Sequence, residues 1–198
     1  MNPSVYINWI LYSVYGLMAE ADELRRRYRR DIDAVADELQ HRHPVKACPL
    51  YRGVLLDGAA PALRPEPNLT FLSWSTDRDV ARWFGSPSSY ISAPFREYAP
   101  EARGYLLTLP RAKTRVLWHH SWRRAFGVSL ESLTLAHPLL GAEAYRQVKW
   151  SLDTQHEVIT ATLAIEALPR PEPVESFDGA TVEELDRRLS PPWVGAAS

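Results

Sequence analysis

The chain opens on a helical rhythm and changes to a strand rhythm about a quarter of the way along. From about Asn8 to His41, Ile10, Leu11, Val14, Leu17 and Met18 are followed by Leu24, Tyr28, Ile32, Val35 and Leu39. Mostly three- and four-residue steps predict one long amphipathic helix, stopped by Pro44. After Pro49, "PLYRGVLL" reads as a strand ended by Asp57–Gly58, and "LTFLSW" as a second. "TDRDVARWF" has the Thr/Asp start and the Val80, Ala81, Phe84 spacing of a short helix. The Ser/Pro-rich loop "GSPSSYISAPFREYAPEARG" follows, then strands at "GYLLTL" and "TRVLW". Ser129 to Trp150 reads as one or two helices broken near Pro138, and Val158 to Leu168 as a long strand or a strand with a turn. Beyond lie the Pro-rich linker "PRPEPVESFDG", the short helix "ATVEELDRRL" and the tail "SPPWVGAAS".

Strands in the middle, with helices at the start and between them, predict an α+β fold rather than alternating βαβ units. The pattern divides the chain into a helical segment at 1–44, a core at 45–170 and a linker, helix and tail at 171–198. At 198 residues, 45% hydrophobic and 24% charged, the composition is that of a globular protein with a real core. A formal net charge of −1 gives no global pull toward nucleic acid or membrane. The lone Cys48 excludes an intramolecular disulfide and a thiolate-rich metal site, and fits a reducing compartment. "VYINWILYSVYGLM" lacks a basic leader and is too short to span a bilayer, so it reads as part of the docked helix and the expected location is cytoplasmic. "RRRYRR", Arg25 to Arg30, reads as a solvated face offset by Asp22, Glu23, Asp31 and Asp33 rather than as an RNA-binding stripe.

Three short patches sit at predicted strand ends, where sites commonly form. The first is Tyr51–Arg52–Gly53. A guanidinium inside an apolar strand needs an anionic partner, either an internal carboxylate or a ligand phosphate. Gly53 would let backbone approach a ligand closely. The second is Ser73–Trp74–Ser75–Thr76. Thr76 reads as a helix cap, but Ser73 lies too far upstream to cap and its hydroxyl needs another partner. The third is Gln155–His156–Glu157, which the polar, turn-prone loop of Ser151, Asp153 and Thr154 delivers to the strand, where alternation would put Gln155 and Glu157 on one face and His156 on the other. His119–His120 with His137 would be the metal candidate. Adjacent strand histidines point to opposite faces and no Asp or Glu sits at ligand spacing, so no metal is expected. His41 and His43, near a helix end, are set aside likewise.

Taken together, "LYRG", "FLSWSTDRDVARWFG" and "QHEVI" resemble, in order and context, the arginine–serine–glutamate class of mono-ADP-ribosyltransferases, which includes bacterial toxin enzymes. The resemblance covers roughly Leu50 to Leu168. It implies a core of two packed, mostly antiparallel β-sheets flanked by helices, and NAD⁺ as co-substrate without a metal. By its implication Arg52 and Gly53 hold the dinucleotide, with Arg52 on the pyrophosphate, and Phe84 of Phe84–Gly85 stacks on nicotinamide. Glu157 accepts from a ribose hydroxyl and stabilises the oxocarbenium-like centre, as charge development at that carbon requires. Ser73 hydrogen-bonds Glu157 and fixes its rotamer, and Gln155 positions the acceptor. Trp74 stands where relatives carry threonine, a substitution the class tolerates.

Gln155 also stands where arginine-modifying members carry glutamate. An amide suits a neutral amide or a base edge better than a guanidinium, so arginine is disfavoured. A protein amide is favoured slightly over a nucleobase because the chain is not basic, although "REYAPEARGY" and "AEAYRQVKWSLDT" gather residues that suit single-stranded nucleic acid. The expected partners are a macromolecular acceptor and an antitoxin or activating protein, with no membrane. The compact architecture suits a phage-encoded modifier, a toxin paired with an antitoxin, or an effector injected into another cell. An NAD⁺ glycohydrolase and a silent NAD- or ADP-ribose-binding member are the rival readings.

Overall fold

The computed structural model describes residues 3–56, 70–86, 101–110, 114–125, 130–161, 171–174 and 179–190. Asp57–Gly58, most of the Ser/Pro-rich loop, the end of the long strand beyond Ala161 and the tail from Pro191 lie outside the described residues, as does the first half of "REYAPEARGY". The fold is mixed, with α-helices and antiparallel strands. Its helices are α1 (Pro3–Tyr15), α2 (Met18–Arg27), α3 (Arg29–Arg42), α4 (Arg78–Phe84), α5 (Leu130–Ala136), α6 (Gly141–Thr154) and α7 (Gly179–Leu189), with a 3₁₀ turn at His120–Ala125. Its strands are β1 (Leu50–Leu56), β2 (Phe71–Ser75), β3 (Arg103–Leu109), β4 (Val116–His119), β5 (Glu157–Ala161) and β6 (Glu172–Pro173). They hydrogen-bond in the order β4-β5-β2-β1-β3-β6. Among the described residues this is one strand order in place of two separate sheets, with a single register pair, Tyr51 opposite Ser75, between β1 and β2.

Two compact units divide the chain, and β2 gives its first three residues to the first and its last two to the second. The first unit comprises 1–47, 68–73 and 114–162. The long helix expected there is three helices. Gly16 adopts φ 97°, and both its N–H and that of Leu17 bond back to the Tyr12 carbonyl, which ends α1. Tyr28, at φ −120° and ψ 32°, separates α2 from α3. The hydrophobic spacing resumes after each break, and so it does not reveal them.

The same unit is closed by aromatic packing and by polar ties between sequence-distant segments. Trp9, fully buried, meets Phe71 edge-on at 5.6 Å. The register of β4 against β5 shifts between Val116 and Trp118, and the Leu117 carbonyl in that stretch accepts from the Tyr6 hydroxyl at 2.6 Å. Burial holds that phenol well above its usual pKa. Asp22 accepts from the Thr70 N–H at 2.6 Å and hydroxyl at 2.8 Å, tying α2 to the start of β2. Arg25 is buried rather than solvated as expected, because it pairs with Asp33 at 2.5 Å, and Arg115 joins the same cluster through Asp33 and Asp37. Arg26 and Arg29 do face solvent.

The second unit comprises 48–67, 74–113 and 163–198. β1 pairs with β3 along its whole length, from Leu50 opposite Leu109 to Leu56 opposite Arg103. β6 pairs on the outer side of β3, so the stretch that reads as a Pro-rich linker contains a short edge strand, where Pro173 is tolerated. α7 docks on α4 through buried Leu185 and Leu189 and a 2.5 Å bond from the Trp83 indole N–H to Asp186.

Candidate active site

Ser73 and Glu157 meet in the first unit. Ser73 is the half-buried third residue of β2, flanked by buried Leu72 and Trp74. Its hydroxyl donates to Glu157 Oε1 at 2.5 Å across 84 residues of chain. Glu157 opens β5 with only 7% of its surface exposed. A buried carboxylate is costly unless hydrogen-bonded, and the Ser73 hydroxyl supplies that bond. One carboxylate oxygen is thereby fixed in direction.

Gln155 is not on the strand with Glu157. The helix α6 runs through the polar Ser151–Thr154 stretch, which reads as a loop in the sequence, because Ser151 and Leu152 are buried on the packed side of α6. Gln155 caps that helix in right-handed conformation, its N–H bonding to the Ser151 carbonyl at 3.0 Å. His156 then turns at φ 50°, and the strand starts at Glu157. The alternation argument for a shared face therefore does not apply to Gln155. A left-handed residue after a helix C-cap is ordinarily Gly or Asn, and a histidine there costs about 1–2 kcal/mol.

The turn is accompanied by three stacked histidines, a feature the sequence reading missed. His119 ends β4, but His120 begins the 3₁₀ turn, so the two rings stack at 4.5 Å and 28° instead of pointing to opposite faces. His156 stacks on His120 in turn, at 5.2 Å and 19°. Burial, and then the charge of His156, push the His120 pKa down. Among the described residues no group of three or more His, Cys, Asp and Glu could hold a metal ion. The adjacent histidine pair was the available signal.

In the second unit Arg52–Gly53 and Phe84–Gly85 meet backbone to backbone. A Cβ on Gly53 would lie 1.9 Å from the Ala81 carbonyl oxygen and 2.3 Å from the Gly85 nitrogen. A Cβ on Gly85 would lie 2.9 Å from the Tyr105 carbonyl and 3.0 Å from Gly53 Cα. Gly53 is thus required by α4 pressing on β1, and on that side it faces protein rather than a ligand. By strand alternation half-buried Arg52 lies on the face of β1 away from α4. Phe84 is half-buried at the end of α4, edge-on to Trp83 at 5.1 Å. The helix cap is Asp77 rather than Thr76: Asp77 accepts from the Asp79 and Val80 N–H groups, and Ser75 Oγ accepts from the Asp77 N–H at 3.0 Å.

Part of the cationic stretch around α6 is paired with carboxylates. Asp153 accepts from Arg123 at 2.6 Å and Lys149 at 2.7 Å, and Arg123 also pairs with buried Glu131. Burial raises the Asp153 pKa, but the two cations outweigh it and leave the carboxyl below its usual value. No helix among the described residues is long and apolar enough to cross a membrane. Comparisons with protein-family models, with curated proteins and with solved structures find no match for this chain.

Proposed function

We propose that the chain is an NAD⁺-dependent mono-ADP-ribosyltransferase that cleaves the nicotinamide–ribose bond and passes ADP-ribose to a macromolecular acceptor other than arginine. The observation that carries this reading is the 2.5 Å bond from Ser73 to the buried Glu157, which joins two motifs 84 residues apart. Breaking the bond to nicotinamide builds positive charge on the ribose, and a carboxylate of fixed direction stabilises that charge without reorganising during the reaction. In this reading Glu157 accepts from a ribose hydroxyl and Ser73 holds it. Arg52 binds pyrophosphate through its planar fork, and Phe84 stacks on nicotinamide. Gln155, on a helix cap, offers an amide to the acceptor. A metal plays no part in this scheme.

The test is to incubate the purified chain with NAD⁺ labelled in the adenylate moiety and a cell lysate, beside a Glu157→Ala control, and to divide the products between nuclease and protease. Label that survives nuclease, is lost to protease and is absent with the variant supports a protein acceptor. Label lost to nuclease makes the acceptor a nucleobase. Consumption of NAD⁺ without transferred label makes the enzyme a glycohydrolase. Intact NAD⁺ sinks the proposal.

A further inference from the structure

Resting on that reading, we infer that His120 is a positioning residue: stacked between His119 and His156, it holds the left-handed turn that delivers Glu157 to Ser73. Among the described residues His156 is the one non-glycine with positive φ, and it immediately precedes Glu157. A conformation that costs free energy persists only where the surroundings over-determine it. The described contact on the His156 ring is the His120 ring at 5.2 Å and 19°.

The base of the stack is fixed independently. His119 lies opposite Val158 in the β4–β5 ladder, so it is registered to the residue that follows Glu157. Its Nδ1 accepts the Ser121 backbone N–H at 3.2 Å and lies 2.8 Å from the Ser121 hydroxyl. These contacts with Ser121 hold the ring in a defined plane. His120, half-buried on the 3₁₀ turn, stacks on that plane at 4.5 Å. The chain of contacts therefore runs from β4 through two rings to the exposed His156 and its turn. Ser73 fixes the carboxylate of Glu157, and the stack fixes the backbone from which that side chain springs. Both constraints lie within the first unit.

The experiment compares the full chain with His120→Ala and His120→Phe by two readouts: nicotinamide release from NAD⁺, resolved into kcat and KM, and amide hydrogen exchange across 155–158. Phenylalanine keeps a flat ring for stacking and removes the nitrogens. The expected result for His120→Ala is a fall of about tenfold in kcat, with KM for NAD⁺ changed less than about twofold. Exchange across 155–158 rises about fivefold or more while the rest of the first unit keeps its protection. His120→Phe restores both. Unchanged exchange at 155–158 in His120→Ala overturns the inference. So does a loss of protection throughout the unit, which would make the ring ordinary packing, or a failure of His120→Phe to restore the turn. Wild-type chain that releases no nicotinamide defeats the transferase reading, and the exchange result then decides by itself whether the stack holds the turn.

Discussion

In the first unit Ser73 and Glu157 meet through one hydrogen bond between side chains, whereas in the second unit Arg52–Gly53 and Phe84–Gly85 meet through backbone pressed against backbone. The first arrangement fixes the direction of a charge and tolerates change in shape. The second fixes the separation of two elements and tolerates no added atom. Polar substitutions at the Ser73–Glu157 pair should therefore alter chemistry more than stability. Steric ones in the second should do the reverse.

The largest expected effect is on chemistry. Glu157→Gln keeps an acceptor for Ser73 but removes the charge, so kcat for nicotinamide release should fall about 10³-fold or more. The melting temperature should stay level or rise, because a buried charge is gone. Steady-state kinetics and a thermal scan measure both. Gly53→Ala should show the opposite signature. Its methyl would lie 1.9 Å from the Ala81 carbonyl, and forcing α4 off β1 should cost about 3 kcal/mol, read by urea denaturation.

Asp22 tests whether the start of β2 is fixed electrostatically. Burial raises its pKa, but bonds from the Thr70 N–H, Arg26 and the Thr70 hydroxyl outweigh that and leave it below the usual value. A carboxyl depressed in the fold contributes stability in full above its unfolded pKa of about 3.9 and loses that contribution as pH falls through the folded value. Asp22→Asn should therefore cost about 2 kcal/mol near neutrality, and the gap to the native chain should close below about pH 4. Denaturation at a series of pH values follows it. The smallest effect is expected at Lys149→Ala, below about 1 kcal/mol, since the pair with Asp153 is solvent-facing and Arg123 still holds that carboxylate.

The strands β1 and β2 were legible because their apolar runs are bounded by turn residues, and α4 because Asp77 and the Val80–Ala81–Phe84 spacing mark it. The breaks at Gly16 and Tyr28 were hidden by a periodicity that continues across them. The end of α6 was misread for the converse reason. Asp153 and Thr154 look like a loop but are simply the outward side of a helix whose inward side is Ser151 and Leu152. Gln155 moved from strand to helix cap as a consequence. Contacts that need proximity in space, such as Gly53 against Gly85 and Asp22 with Thr70, left no pattern along the chain. The pairing of Ser73 with Glu157 could be anticipated only through the family resemblance, since no spacing rule connects residues so far apart.

The most direct measurement is nicotinamide release from NAD⁺ by the native chain, Ser73→Ala, Glu157→Gln and the double variant. If Ser73 acts by holding Glu157, the first change should slow release about tenfold and the second about 10³-fold, with the double variant no slower than Glu157→Gln alone. Losses that multiply would make the two residues independent. Full activity in Glu157→Gln, or no release by the native chain in the presence of lysate, would contradict the account.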